Sequence, residues 1–182
     1  DVEGNPVRES QWPVNRAGFV IHSAIHGNVE QAHCVMHTHT TTGMAVACLK
    51  EGLSPTNFYA AQLHGCVAYH DFEGITVEDD ERKRLVASIG SKCALILRNH
   101  GLLVVGRTVP AAFNVLFRLE RACQVQVMAL SCNTKLIYPP QSILEDTYER
   151  MQPKPGRGAR NGDLAWPALL RKLDRTDPSY RN

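Results

Sequence analysis

Cys34-Val35-Met36-His37-Thr38-His39-Thr40 is the stretch on which the reading of this chain turns, together with a distant counterpart, Leu97-Arg98-Asn99-His100-Gly101. The first reads as a strand, over 31–40, running into a loop. Alternate residues of a strand point to one face, so His37 and His39 can converge on a single point. The second closes an apolar run, Ala94-Leu95-Ile96-Leu97, and delivers a further imidazole at a strand end. Three imidazoles from two strand ends make an open metal site, with room left for water or substrate. A lone histidine at a strand end is usually a polar cap, so the weight rests on the pattern rather than on any one ring.

The elements around these stretches alternate between helix and strand. Asn15 is placed to cap a helix over 16–26, whose His22 and His26 lie four apart on one face. Such a pair can bind metal, but a polar wall beside a site or subunit boundary is the commoner use. A helix rich in small residues (Gly43, Ala45, Ala47) is predicted over 41–51, and a shorter one over 55–63. Then come a strand over 66–69, a polar loop over 71–74, and a charged helix opened by Asp79 or Asp80 and stopped by Gly90. Strands over 93–97 and 102–105 flank the second histidine stretch. Thr108-Val109-Pro110 opens the longest helix, to about residue 130, with Phe113, Leu116, Phe117, Glu120, Cys123 and Val127 at helical spacing. Residues 1–7 read as strand–turn–strand. The alternation predicts an α/β layered sheet.

The 182 residues are one domain's worth of chain, and no run approaches the ~20 apolar residues of a membrane span. A formal charge of +2 gives no reason to expect a nucleic-acid or membrane partner. The six cysteines are scattered singly with no Cys-x-x-Cys pair, which predicts buried free thiols and a cytoplasmic setting. Beyond residue 136 the character changes. A basic Pro/Gly linker over 152–160 leads to a short amphipathic helix from Trp166 to Leu173, which needs a surface to dock on, such as a neighbouring subunit. The expected organisation is a main domain over 1–136 and an extension over 137–182.

Several motifs together resemble the class II aldolase/adducin family. They are His37-Thr38-His39, Gly52-Leu53-Ser54-Pro55, Ala68-Tyr69-His70-Asp71-Phe72-Glu73-Gly74 and Arg98-Asn99-His100-Gly101-Leu102. Asn15-Arg16-Ala17-Gly18-Phe19-Val20-Ile21-His22-Ser23-Ala24-Ile25-His26 is closest to the adducin-like bacterial branch. The resemblance runs from about Val14 to Leu130. It implies a three-layer α/β/α fold with a central, largely antiparallel sheet, apparently lacking its N-terminal segment, and a homotetramer with sites between subunits. It implies that His37, His39 and His100 bind zinc or another divalent ion. The implied activity is retro-aldol cleavage of a small sugar or sugar-phosphate, the ion stabilising the enediolate left behind.

One position departs from that pattern. The family's aldolases carry an acid/base carboxylate one helix before His-x-His, and the alignment puts Gly18 there. His22 is the expected substitute, with His26 and the upstream Glu9 behind it. The tyrosine that the aldolases use after the next loop falls near Tyr59, while Tyr69 and His70 are candidates for a polar lining. Two alternatives stand beside the lyase: an adducin-like oligomerisation module whose metal site is a vestige, and a sugar-phosphate 4-epimerase.

Overall fold

The structure, a computed structural model, describes residues 1–74, 79–152 and 162–181. Strands β1 (Cys34–Thr38), β2 (Val67–His70), β3 (Ala94–Leu97) and β4 (Gly101–Gly106) form one sheet in the order β1-β4-β3-β2. β4 is antiparallel to both β1 and β3, and β2 is parallel to β3. The sheet is therefore mostly antiparallel, as expected.

The two central strands are apolar on both faces, the pattern of strands covered on both sides. Leu95, Leu97, Leu103 and Val105 pack with Ile21 and Ile25 of α1 (Arg16–Asn28) and with Leu85 and Ile89 of α4 (Asp79–Ile89). The alternate residues, Ala94, Ile96, Leu102 and Val104, pack with Val46 and Ala47 of α2 (Thr41–Ala47). Ala112, Leu119 and Cys123 of α5 (Val109–Ser131) complete that second cluster, and α3 (Phe58–Gln62) packs on α5. Full burial of side chains such as Leu102 and Leu103 contributes about 1.5–3 kcal/mol each. The strand ends that carry the histidines are thus fixed between two cores.

Local signals set most helix starts. The Asn15 side chain accepts from Gly18 N at 3.0 Å, and Thr108 caps α5 with Pro110 in its first turn. α3 begins at Phe58 rather than at residue 55, because the Asn57 side chain takes the capping role, accepting from Tyr59 N and Ala60 N. α2 ends at Ala47, short of the predicted 51. The strand–turn–strand expected over 1–7 does not form. Instead the Asp1 carboxylate accepts from Glu3 N at 3.1 Å and Asn5 N at 2.7 Å, closing a local turn.

The expectation of six free thiols is also corrected. Cys66 and Cys93 form a disulfide, with Cα atoms 5.5 Å apart. Val67 pairs with Ala94 in the parallel β2–β3 register, so the residues just before them face each other. Of the remaining cysteines, Cys123 is buried, Cys34 half-buried, and Cys48 and Cys132 are exposed.

The C-terminal part contains a helix that sequence reading missed, α6 (Gln141–Met151), which buries Leu144 and packs on α3. α7 (Ala165–Thr176) matches the predicted amphipathic helix, and its Trp166 ring lies 5.4 Å from Phe113 of α5. That aromatic contact is made within the same chain. Most of the predicted linker, 153–160, lies outside the described residues. No helix among the described residues is long and apolar enough to cross a membrane.

Candidate metal centre

Antiparallel pairing brings the two histidine stretches together. β1 runs toward the edge at which β4 begins, so His37 pairs with Leu103 and Thr38 with Leu102. β3 and β4 are joined through Arg98, Asn99 and His100. Asn99 adopts a left-handed φ of 55°, which asparagine tolerates, and His100 N bonds back to Leu97 O at 3.1 Å. His100 is thereby presented beside the end of β1. Gly101 is required at this crossing. A Cβ there would collide with Thr38 O and sit 3.0 Å from His39 Cδ2 and 3.3 Å from His37 Cε1.

One nitrogen from each of His37, His39 and His100 lies within 4.8 Å of the others. Ring centroids are 4.6 Å apart for His37–His39, 4.9 Å for His37–His100 and 4.8 Å for His39–His100. His37 Nδ1 lies 2.9 Å from the Leu102 carbonyl, which can only accept, so Nδ1 carries the proton and Nε2 is left with a lone pair. That Nε2 points at His39 Nε2, 2.8 Å away. His39 is exposed, so the cluster opens to solvent.

The electrostatics favour the neutral form of His37 and of His100. Burial pushes His37 down to about 4, with smaller contributions from His100, His39 and His22, opposed by the Leu102 hydrogen bond. His100 is lowered by burial and then by His39, with Glu81 acting the other way. Neutral imidazoles are the form that binds a cation. Tetrahedral zinc with bonds of about 2.0–2.1 Å spaces its nitrogens by roughly 3.3–3.4 Å, so the His37–His39 pair needs only a small ring rotation to fit. The donor set suits a divalent ion with an open position.

The other sequence candidates are placed less uniformly. His22, on α1, is close enough to act electrostatically on His37, and its own pKa is lowered by burial and by His26. His26 Nδ1 is tied to Ala32 O at 2.7 Å. The Tyr59 ring contacts Phe58 and Phe117, and no ring contact joins it to the three histidines. Tyr69 is a structural group: its hydroxyl accepts from Leu53 N at 3.0 Å, and Arg98 stacks 4.3 Å above its ring. His70 is buried, and Glu9 lies in the exposed N-terminal segment.

Two carboxylates near the site were not singled out from sequence. Glu120 of α5 accepts from the hydroxyls of Thr40 and Thr42, bracing the turn that follows His39. Its signal was a carboxylate within an otherwise apolar helical stripe. Glu81 is buried at the start of α4 beside His70. It sits in a charged run, Asp79 to Arg84, where nothing local distinguishes it.

Residues 1–127 match the family model described as the class II aldolase and adducin N-terminal domain. The chain belongs to the class II aldolase/adducin family. A "putative aldolase class 2 protein" of Pseudomonas aeruginosa is 43% identical over 185 residues, covering 100% of this chain and 70% of the relative. Alpha-adducin of Rattus norvegicus is 39% identical, covering 92% of this chain and 25% of adducin. An aldolase II superfamily protein from Pseudomonas syringae superposes with a TM-score of 0.90 at 41% identity, over 100% of this chain and 72% of that one. An L-fuculose 1-phosphate aldolase from Glaciozyma antarctica superposes with a TM-score of 0.78 at 27% identity, over 97% and 68%. The similarity to both branches, aldolase and adducin, extends across the histidine stretches.

Proposed function

We propose that this class II aldolase/adducin family member is a divalent-metal-dependent lyase that cleaves a small sugar or sugar-phosphate by a retro-aldol step. The observation that carries the reading is the convergence of three imidazole nitrogens within 4.8 Å, with the His37 tautomer set by Leu102 O. His37, His39 and His100 would hold zinc or another divalent ion. Bound there, the ion supplies a Lewis acid for negative charge developing on a substrate oxygen.

The chain's own residues take the remaining tasks. His37 donates its Nδ1 proton to the Leu102 carbonyl, which turns its Nε2 lone pair into the cluster beside His39. His22, one helical turn beyond Gly18, is the group we assign to proton transfer, since its charge acts on His37 and burial lowers its pKa and keeps it a neutral base. Tyr59 stands near the position of the family's tyrosine and is taken as a further catalytic group, and the assembly as a homotetramer, both on the family resemblance. We read the two hydrophobic clusters as the interlayer cores of a three-layer α/β/α arrangement, and keep the cytoplasm as the proposed setting although the Cys66–Cys93 pair removes part of the free-thiol argument for it. Sugar-phosphate substrates are supported by the likeness to L-fuculose 1-phosphate aldolase. A 4-epimerase would use the same bond cleavage.

Gly18 and the likeness to alpha-adducin favour a second reading, an oligomerisation module that retains the histidines without turnover. Elemental analysis of the purified protein, beside His37→Ala and His100→Ala, separates the two. About one ion per chain, lost in both variants, together with aldehyde release from a sugar-phosphate panel, is the expected result. An oligomer with no ion after incubation with zinc, manganese or cobalt would leave only the assembly module.

A further inference from the structure

Behind His100, on the β2–α4 side of the triad, lies a group of ionisable residues that the proposed reaction does not use. His70 ends β2 and is 6% exposed, and its Nδ1 lies 2.9 Å from Ser88 Oγ of α4. The other ring nitrogen, Nε2, is buried with no hydrogen-bond partner among the described residues. It faces Glu81 Oε1 at 3.6 Å and Glu73 Oε1 at 3.8 Å, too far for direct hydrogen bonds. Glu73 is already committed to Arg84, bonding its Nε at 2.8 Å. Glu81 is 6% exposed.

A cavity of about 10 Å³ is lined by His70, Glu73, Glu81, Leu97, Arg98 and His100. That is about the volume one water molecule needs, and the walls offer it several polar partners. The space is far too small for a sugar. The two ends of the triad also differ. His37 has an outer hydrogen bond, from Nδ1 to Leu102 O, whereas the His100 ring makes none among the described residues. Imidazoles that bind a metal almost always give their other N–H to a carboxylate, carbonyl or water. Glu81 is the acidic group whose charge acts on His100.

We propose that Glu81 is the outer partner of His100, reached through a water molecule held between Glu81, His70 Nε2 and the His100 ring. The N–H of His100 donates to this water, and the water donates to the Glu81 carboxylate. His70, fixed by Ser88, supplies the remaining anchor. Glu81 and His70 are positioning residues: they are too enclosed to touch substrate and cannot replace the carboxylate missing at Gly18. The inference rests on His100 being a metal ligand, as proposed above.

The test is titration of the metal-free protein with Co2+, read by visible absorption, on wild type, Glu81→Gln, His70→Phe and His100→Ala, with thermal unfolding of each metal-free protein. Glu81→Gln is expected to weaken cobalt binding 10- to 100-fold with the unfolding midpoint nearly unchanged. His70→Phe keeps the ring volume and weakens binding through loss of the water anchor. If Glu81→Gln does not fold, Glu81→Asp and His70→Phe decide. Wild-type cobalt affinity in the Glu81 and His70 variants overturns the inference and leaves the triad intact. Absence of cobalt binding in the wild type removes the metal-site reading itself and this inference with it.

Discussion

Replacing Gly101 by alanine probes the point where sheet and candidate site depend on one another. The added Cβ would collide with the Thr38 carbonyl, and a carbon–oxygen contact is ordinarily about 3.3–3.6 Å. β1 must therefore withdraw from β4 by roughly an ångström at the Thr38–Leu102 pair, in strands whose neighbours are fully buried. Overpacking of this kind costs about 2–3 kcal/mol. For a chain of this size that lowers the unfolding midpoint by about 5–10 °C. The same methyl asks His39 Cδ2 and His37 Cε1 to give by only a few tenths of an ångström, but the withdrawal of β1 by roughly an ångström carries both rings beyond the ~0.5 Å a preorganised site tolerates. Zinc affinity should fall at least tenfold. Thermal unfolding of the metal-free protein and a zinc titration read the two effects separately. Gly27→Ala is the control: its Cβ meets nothing within 4 Å in α1, and it should stabilise by about 0.5–1 kcal/mol. If Gly101→Ala unfolds within a degree of wild type and binds zinc as tightly, the glycine is not holding the two strands at their observed approach.

Other outcomes follow from the same geometry. His37 titrates near 6.5 in the unfolded chain and is held down to about 4 in the fold, so the unfolded state takes up the proton first. Metal-free stability from this ring is full above about 6.5 and is lost as pH falls toward 4. The loss is on the order of 2 kcal/mol after discounting for the ring's partial exposure. Urea unfolding at pH 7.5, 5.5 and 4.5, against His37→Gln, measures it; a difference that does not change with pH would refute the assigned cause. Glu120→Gln removes the charged acceptor from Thr40 and Thr42 and should cost about 1–3 kcal/mol in urea unfolding, with weaker zinc binding. An unchanged midpoint would mean the turn after His39 holds itself. Gly18→Glu is sterically open, since a Cβ there meets only Asn15 at 3.8 Å and beyond. It should raise retro-aldol turnover in the metal-loaded protein at least tenfold, and an unchanged rate with zinc bound would count against Gly18 as the vacant acid/base position.

Much of the site was legible because its signals are local. His-x-His needs only the two-residue period of a strand, and Asn99-His100-Gly101 carries its own turn chemistry. Caps at Asn15 and Thr108 announced α1 and α5. The signals that failed were those that local sequence does not contain. α6 is a weakly apolar, charged segment, and what it buries is chiefly Leu144 against another helix. The Cys66–Cys93 pair spans 27 residues and depends on the parallel β2–β3 register. Glu81 looked like any member of a charged helix start until β2 was laid beside it.

The sequence by itself determined the four sheet strands and the helices other than α6, the family, and the three imidazoles offered at strand ends, because periodicity, capping and turn conformations act over a few residues. Tertiary structure alone decided that the imidazoles converge, that His37 is held neutral with its proton on Nδ1, and that Glu120 and Glu81 stand behind the site. Those outcomes depend on the antiparallel register of β1 with β4 and on burial between two cores, quantities that exist only once distant segments have packed.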